Sequence, residues 1–187
     1  MTYGVNGTVS DPGPYWRAEL PRTTPKEDLF MNRPAVERVM KATNRRLDKD
    51  TEWRHVYESQ LKDLVALGFA REIMQSEIDE HLSKGGPIYD IAHQLALNHG
   101  SKSTPVCTVF NGSQQYRGHS LNSSWALGPE ELINNLAGML LRFREDVHAA
   151  QGDIRKMYYC VRIHPEDQMM QLWIWKFDGG LSRCVAW

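Results

Sequence analysis

Apolar residues recur with helical spacing in two early segments of the chain. Residues 1–33 are rich in Gly, Pro, Thr and Ser and show no sustained period, which predicts an extended arm or linker. A connector helix is predicted over 34–50, with Pro34 in its first turn. A second helix is predicted from residue 51 to a stop at Gly68. Their apolar stripes are Val36, Val39, Met40, Thr43 and Leu47, and then Trp53, Val56, Tyr57, Leu61 and Leu64.

Shorter apolar runs separated by turn residues predict strands in the middle of the chain. The segment "GFAREI" predicts a short strand. A polar loop that contains Gly85, Gly86 and Pro87 is expected after it. The segments "IYDIAHQLAL" and "PVCTVF" then predict two strands. The connection "NHGSKST" has the composition of a hairpin loop, so the two strands are expected to pair.

The last third of the chain combines the strongest helix pattern with a predicted strand meander. The segment "GPEELINNLAGMLLRFRED" at 128–146 predicts a helix that begins at Pro129. Its expected buried face is Leu132, Leu136, Met139, Leu140 and Phe143. Strands are predicted at "VHAAQGDI", "YYCVRI" and "QLWIWKF", with "HPED" as a turn. Helices, a hairpin, a helix and a meander together indicate the α+β class.

Composition and charge narrow the class of protein. With 41% hydrophobic and 24% charged residues, the chain has the composition of a globular domain. A net charge of -1 gives no global basic field, so contact with nucleic acid would need local basic patches. Three widely spaced cysteines suggest reduced thiols and an intracellular location, cytoplasmic or nuclear. We expect no membrane span and no signal peptide.

Asp153 is the residue on which the candidate chemistry depends. It follows Gly152 at the end of a predicted strand, where an aspartate is usually a turn residue. The other interpretation is a carboxylate that holds divalent cations for nucleotidyl transfer, which uses two such ions. Tyr158, five positions later, could then lie flat beneath a sugar. Spacing alone leaves both interpretations open.

Three segments carry a resemblance to a known family. They are "PVCTVFNGS" at 105–113, "GHSLNSSWALGPEELINNLAGMLLRFRED" at 118–146 and "AAQGDIRKMYYCVRIHPEDQMMQLWIWKF" at 149–177. In this order they resemble the reverse transcriptase region of BEL/Pao-type retrotransposon polyproteins. The resemblance implies a partial right-hand polymerase fold, preceded by an extended arm and helices. Residues 51–127 would form the fingers, and 128–187 a truncated palm with an incomplete antiparallel sheet.

The resemblance also implies roles for residues near Asp153. Asp153 would be the first metal-binding aspartate of the palm, and Ile154 would place its main-chain carbonyl beside the metal ions. Tyr158 would lie under the incoming sugar and exclude a 2′ hydroxyl. The backbone at Lys156 and Met157 would contact the triphosphate. The ligands implied are Mg²⁺ or Mn²⁺, a deoxynucleoside triphosphate and an RNA or DNA template–primer.

The fingers hairpin contains both a match and a departure. Lys102 matches the basic residue expected at the γ-phosphate. Cys107 stands where the family has a triphosphate-binding arginine, and a cysteine can neither carry a positive charge nor donate a bidentate hydrogen bond.

A second departure concerns catalysis. The family's catalytic Asp-Asp pair follows a tyrosine on a later hairpin, and this sequence has no Asp-Asp dipeptide. A single carboxylate is a poor anchor for two mutually repelling cations. We therefore expect the chain alone to bind metal weakly and not to polymerise. The alternative is a non-catalytic retroelement remnant with weak nucleic-acid binding or no function.

Truncation of the palm has further expected consequences. An unpaired sheet edge would promote self-association. Trp173 and Trp175 are expected in the core, unless the truncation leaves them exposed, and Cys160 is expected to be a small buried apolar group.

Overall fold

The chain combines α-helices with several small β-sheets. The structure is a computed structural model and describes residues 2–4, 15–23, 31–98, 100, 105–128, 135–153, 157–177 and 180–186. Within these residues there are five helices: α1 (Arg33–Leu47), α2 (Thr51–Ala66), α3 (Gln75–Ser83), α4 (Leu136–Arg142) and α5 (Pro165–Gln168). The strands are β1 (Thr2–Gly4), β2 (Tyr15–Ala18), β3 (Ala70–Glu72), β4 (Ala92–Leu97), β5 (Val106–Asn111), β6 (Val161–Ile163), β7 (Leu172–Phe177) and β8 (Gly180–Ala186). The predicted α+β class is confirmed.

Helices α1 and α2 follow the predicted apolar stripes. Val36 and Leu47 of α1 and Tyr57 and Leu61 of α2 are buried. The Asp50 side chain caps α2 by accepting a hydrogen bond from the Trp53 N–H at 2.9 Å. Gly68 follows α2 with φ +71°, a left-handed conformation that an L side chain rarely adopts. The predicted stop is therefore confirmed.

Helix α3 was not predicted, because its sequence carries almost no apolar stripe. Only Ile78 of this helix is buried, and its other large apolar residue, Leu82, is exposed. The helix begins where the Glu77 carboxylate accepts a hydrogen bond from the Met74 N–H at 3.0 Å. The expectation of a polar loop is wrong for this segment.

The strands of the described residues form three sheets. β4 and β5 pair as the predicted antiparallel hairpin, with Leu95 opposite Thr108. A second sheet has the order β3–β8–β7, with both pairs antiparallel. Strand β3 lies in the expected fingers segment and β8 in the expected palm segment, so this sheet joins the two.

The third sheet brings the N-terminal arm onto the fold. β1 pairs antiparallel with β2, and β2 pairs in parallel with β6. Beyond β2, the Arg22 guanidinium forms a salt bridge of 3.0 Å with Asp167, whose carboxylate also accepts from the Leu20 N–H at 3.2 Å. The Ala126 N–H donates to the Pro21 carbonyl at 2.8 Å. Residues 15–23 are thus extended, as predicted, but are packed on the domain.

A shared apolar core connects helices and sheets from both halves of the chain. Its main cluster joins Tyr57 and Leu61 of α2 with Leu95 of β4 and with Trp173 and Trp175 of β7. Both tryptophans are buried, and Trp175 is 0% exposed. Core packing of the tryptophans is confirmed, and the expectation that they are exposed is wrong. Met170 is also buried.

Helix α4 differs most from its prediction. Among described residues it covers only Leu136–Arg142, and predicted positions 129–134 lie outside the described residues. Leu136, Met139, Leu140 and Phe143 are exposed, with Leu136 68% exposed. The predicted buried face is therefore uncovered. The helical period was correct, but it could not specify an element to pack against that face.

The segment leading to β6 also differs from its prediction. The segment 147–154 was predicted as a strand, but its described residues, 147–153, form no strand. Residues Met157–Cys160 form a turn of 3₁₀ helix, so the strand predicted from Tyr158 begins at Val161. Cys160 is exposed rather than buried, because the 3₁₀ turn removes it from the strand alternation on which that prediction rested.

The described residues contain no helix that is both long enough and apolar enough to span a bilayer.

Candidate functional site

Asp153 lies in an exposed, irregular segment between α4 and β6. Its carboxylate forms no hydrogen bond or ion pair with another described residue, and residues 148–153 are all exposed. The predicted position at a strand end is therefore wrong within the described residues. Ile154 and Lys156, to which the resemblance gives main-chain roles, lie outside the described residues. A solvated carboxylate of this kind is accessible to a cation or a ligand, and no residue within the described ranges hydrogen-bonds to it.

Tyr158 stands out from the 3₁₀ turn that follows Asp153. Its side chain is 87% exposed, and that of Met157 is 46% exposed. The next residue, Tyr159, packs its ring on Phe69, with ring centroids 5.5 Å apart. The turn thus fixes one tyrosine on the domain and presents the other to solvent, where its ring could stack on a flat ligand.

Cys107 lies on the outer face of the β4–β5 hairpin. Val106, Thr108 and Phe110 alternate with Cys107 and Val109 along β5, so the two sets lie on opposite faces of the strand. Val106 is buried on the core face, whereas Val109 is 41% exposed. The Gln60 side chain of α2 holds the strand by donating to the Val106 carbonyl at 2.8 Å and accepting from the Thr108 N–H at 2.8 Å. Lys102 of the hairpin loop lies outside the described residues.

Tyr158 lies beside a cavity that the hairpin helps to line, and Asp153 is not part of that cavity. Tyr158 and Tyr159 line a cavity of about 270 Å³ together with Phe110 of β5 and Trp173 of β7. Asp153 and Cys107 are not among the residues that line it. No sequence pattern predicts this cavity, because its walls come from segments between residues 64 and 173.

The carboxylates near Asp153 do not complete a metal site. The described residues contain no group of three or more His, Cys, Asp or Glu side chains arranged to hold a metal ion. Two divalent cations need several oxygen ligands between them. Asp153 is exposed and belongs to no such group, so the described residues do not fit the metal pair that the resemblance implies.

A buried polar contact between Tyr57 and His93 lies beneath the hairpin. The Tyr57 Oη lies 2.6 Å from His93 Nδ1, and His93 Nε2 lies 3.0 Å from the Ile174 carbonyl oxygen. A carbonyl only accepts, so Nε2 carries the proton and Nδ1 accepts from the tyrosine hydroxyl. Burial lowers the pKa of His93 to about 4, although the bond to Ile174 opposes this shift. Burial also raises the pKa of Tyr57 above its usual range.

A second buried polar cluster joins α1 to β8 through Asp90. The Arg183 guanidinium donates two hydrogen bonds to the Asp90 carboxylate, at 2.9 and 2.7 Å. The Asn32 side chain accepts from the Asp90 N–H at 2.9 Å and donates to its carbonyl at 2.7 Å. Burial raises the pKa of Asp90, and the charge of Arg183 opposes that rise. These partners are far apart in sequence, so no local pattern could pair them.

The central side chains of both clusters are buried: Tyr57 is 0%, His93 3% and Asp90 1% exposed. Their chemistry is that of satisfied core groups: one neutral histidine and one compensated ion pair. His93 is thus a core histidine with both ring nitrogens hydrogen-bonded.

Comparison with known proteins gives no relative: no protein-family model, no curated protein and no solved structure matches the chain.

Proposed function

We propose that this chain belongs to a reverse transcriptase of the BEL/Pao type and contains its fingers and the first part of its palm. The proposal rests on the three family-like segments at 105–113, 118–146 and 149–177. The structural observation that carries it is the exposure of Asp153 and Tyr158, five residues apart, just before β6. Both side chains are accessible to a nucleotide, as their proposed roles require.

The β4–β5 hairpin gives additional support. It forms the antiparallel pair that a fingers hairpin requires, and Cys107 lies on its less buried face. An arginine at this position could extend toward a triphosphate, whereas the cysteine cannot pair with phosphate oxygens. We therefore propose that the nucleotide site is present but has weak affinity.

We further propose that these 187 residues do not catalyse nucleotidyl transfer by themselves. Asp153 would need further carboxylates to hold two cations, and the described residues bring none beside it. The alternative, a non-catalytic remnant with weak nucleic-acid binding, is favoured by this incomplete donor set and by Cys107. Template-dependent primer extension by the pure chain with Mg²⁺ or Mn²⁺ would contradict both proposals about activity.

The role of Tyr158 provides a test of the proposed site. If its ring lies under the sugar, the 2′ hydroxyl of a ribonucleotide would collide with it, so dUTP should bind more tightly than UTP, which differs from it only at the 2′ position. We expect a difference of about three- to tenfold, which is the size of one aromatic contact. Tyr158→Ala should abolish this difference. NMR titration of the chain with each nucleotide in Mg²⁺ measures both affinities.

Tyr116→Ala is the matched control, because it removes a tyrosine from a different loop, where Tyr116 forms an isolated bridge with His119. It should leave the preference for dUTP over UTP unchanged. Equal affinity of the wild-type chain for the two nucleotides, or an equal loss in both variants, would contradict the proposed position of Tyr158.

A further inference from the structure

An apolar cavity opens beside the 3₁₀ turn at residues 157–160. It has a volume of about 270 Å³ and lies among the end of α2, β3, β5, β6 and β7. Its walls include Leu64 of α2, Ala70 of β3 and Val161 of β6. Three separate sheets thus contribute to one cavity, and none of the roles assigned above to Asp153 or the hairpin uses its interior.

Aromatic rings form a large part of the cavity wall. The rings of Phe69 and Tyr159 lie 5.5 Å apart at an angle of 35°, and those of Phe110 and Trp173 lie 5.8 Å apart at 71°. Tyr158 also lines the cavity, and its high exposure places it at the opening to solvent. Rings inclined to one another in this way offer both faces and edges to an aromatic guest.

The described residues of the lining carry no charge. The two tyrosines are the ionisable residues among them, and burial raises the pKa of Tyr159, which keeps its hydroxyl neutral. The Gln171 amide, the Trp173 indole N–H and the tyrosine hydroxyls are the polar side-chain groups of the lining. An anionic or cationic guest would lose its hydration without gaining a counter-ion.

The volume sets the size of the guest. An apolar protein cavity of roughly 150 Å³, lined by Leu, Ile and Phe, is large enough to bind benzene. The present cavity, at about 270 Å³, has room for a second fused ring.

We propose that this cavity binds a neutral, planar molecule with two fused aromatic rings. The polar groups of the wall would accept or donate at most one or two hydrogen bonds, and most of the affinity would come from burying the ring faces. This inference does not depend on the proposed polymerase origin, because it uses only the volume, the rings and the uncharged character of the described wall residues.

The test uses indole as the probe and the full chain as the receptor. Calorimetric titration should give saturable binding of one indole per chain. Ala70→Leu places a larger side chain in the cavity and should raise the Kd at least about tenfold. Indole-3-acetate, which adds a carboxylate to the same rings, should bind at least about tenfold more weakly than indole.

Ala42→Leu is the matched control, since Ala42 is exposed on α1 and away from the cavity. It should leave the Kd for indole unchanged. If Ala70→Leu does not fold, as judged by circular dichroism, Val161→Phe fills the cavity from the β6 side and takes its place. The proposal is overturned if the wild-type chain does not bind indole saturably, or if a folded cavity-filling variant binds it as tightly.

Discussion

At the residue scale, the most constrained side chain is that of His93. Its ring lies within 5.9 Å, centroid to centroid, of those of Tyr57, Phe110, Trp173 and Trp175. The Ile174 carbonyl requires a proton on Nε2, and the Tyr57 hydroxyl donates to Nδ1. Protonation of Nδ1 would place a positive charge in a buried, largely apolar setting, where loss of hydration disfavours it. Tyr57 is the ionisable group that directly contacts the ring.

This contact predicts a pH-dependent stability. The folded chain keeps His93 neutral down to about pH 4, whereas the unfolded chain binds the proton near pH 6.5. Between these values the unfolded state binds more protons, so the stabilisation is complete above pH 6.5 and is lost as the pH falls toward 4. The free energy of unfolding in urea should fall by about 2 kcal/mol from this group between pH 7.5 and pH 5.

His93→Gln should remove that part of the pH dependence, because glutamine does not titrate in this range. His55→Gln is the control, since His55 is exposed on α2. The account of His93 fails if the wild-type chain and His93→Gln lose the same stability between the two pH values.

At the element scale, apolar periodicity predicted helices only where a stripe exists. Helices α1 and α2 carry full stripes, and their ends lie within three residues of the predicted ones. Helix α3 has a single buried residue, Ile78, and was missed. Helix α4 has a clear period, but the structure leaves its face uncovered. Periodicity therefore predicts which face could be buried, and the rest of the fold decides whether it is.

The uncovered face of α4 predicts a small effect of truncating its side chains. Leu140 is 49% exposed, so Leu140→Ala should change the free energy of unfolding by no more than about 0.5 kcal/mol. Leu61→Ala, in the core face of α2, should lower it by about 2–5 kcal/mol, because it leaves a cavity. Chemical unfolding of both variants at one pH measures the difference. A comparable loss in the two variants would mean that α4 packs against the core.

At the scale of the whole molecule, long-range pairing is what the sequence could not predict. The β4–β5 hairpin was predicted, because its strands are close in sequence. The pairing of β3 with β8, and that of β2 with β6, joins segments more than a hundred residues apart. No local pattern specifies such partners. The cavity beside Tyr158 could not be predicted for the same reason, since these sheets form its walls.

The candidate site shows the same limit. The sequence identified Asp153, Tyr158 and Cys107 through a resemblance, and the structure places all three at accessible or half-buried positions. The sequence did not predict that Asp153 lies in an irregular segment. A strand end would have fixed its carboxylate, and the irregular segment leaves its orientation open.

The measurement that tests the account most directly is the affinity for dTTP in Mg²⁺ after an arginine is introduced at position 107. Cys107→Arg should lower the Kd by about tenfold or more, the effect of one charge-assisted pair with phosphate. Val109→Arg adds the same charge two residues away on the same strand face and should change the Kd by no more than about twofold. A specific gain at 107 is the predicted result. No gain, or an equal gain at both positions, would contradict a nucleotide site at this hairpin.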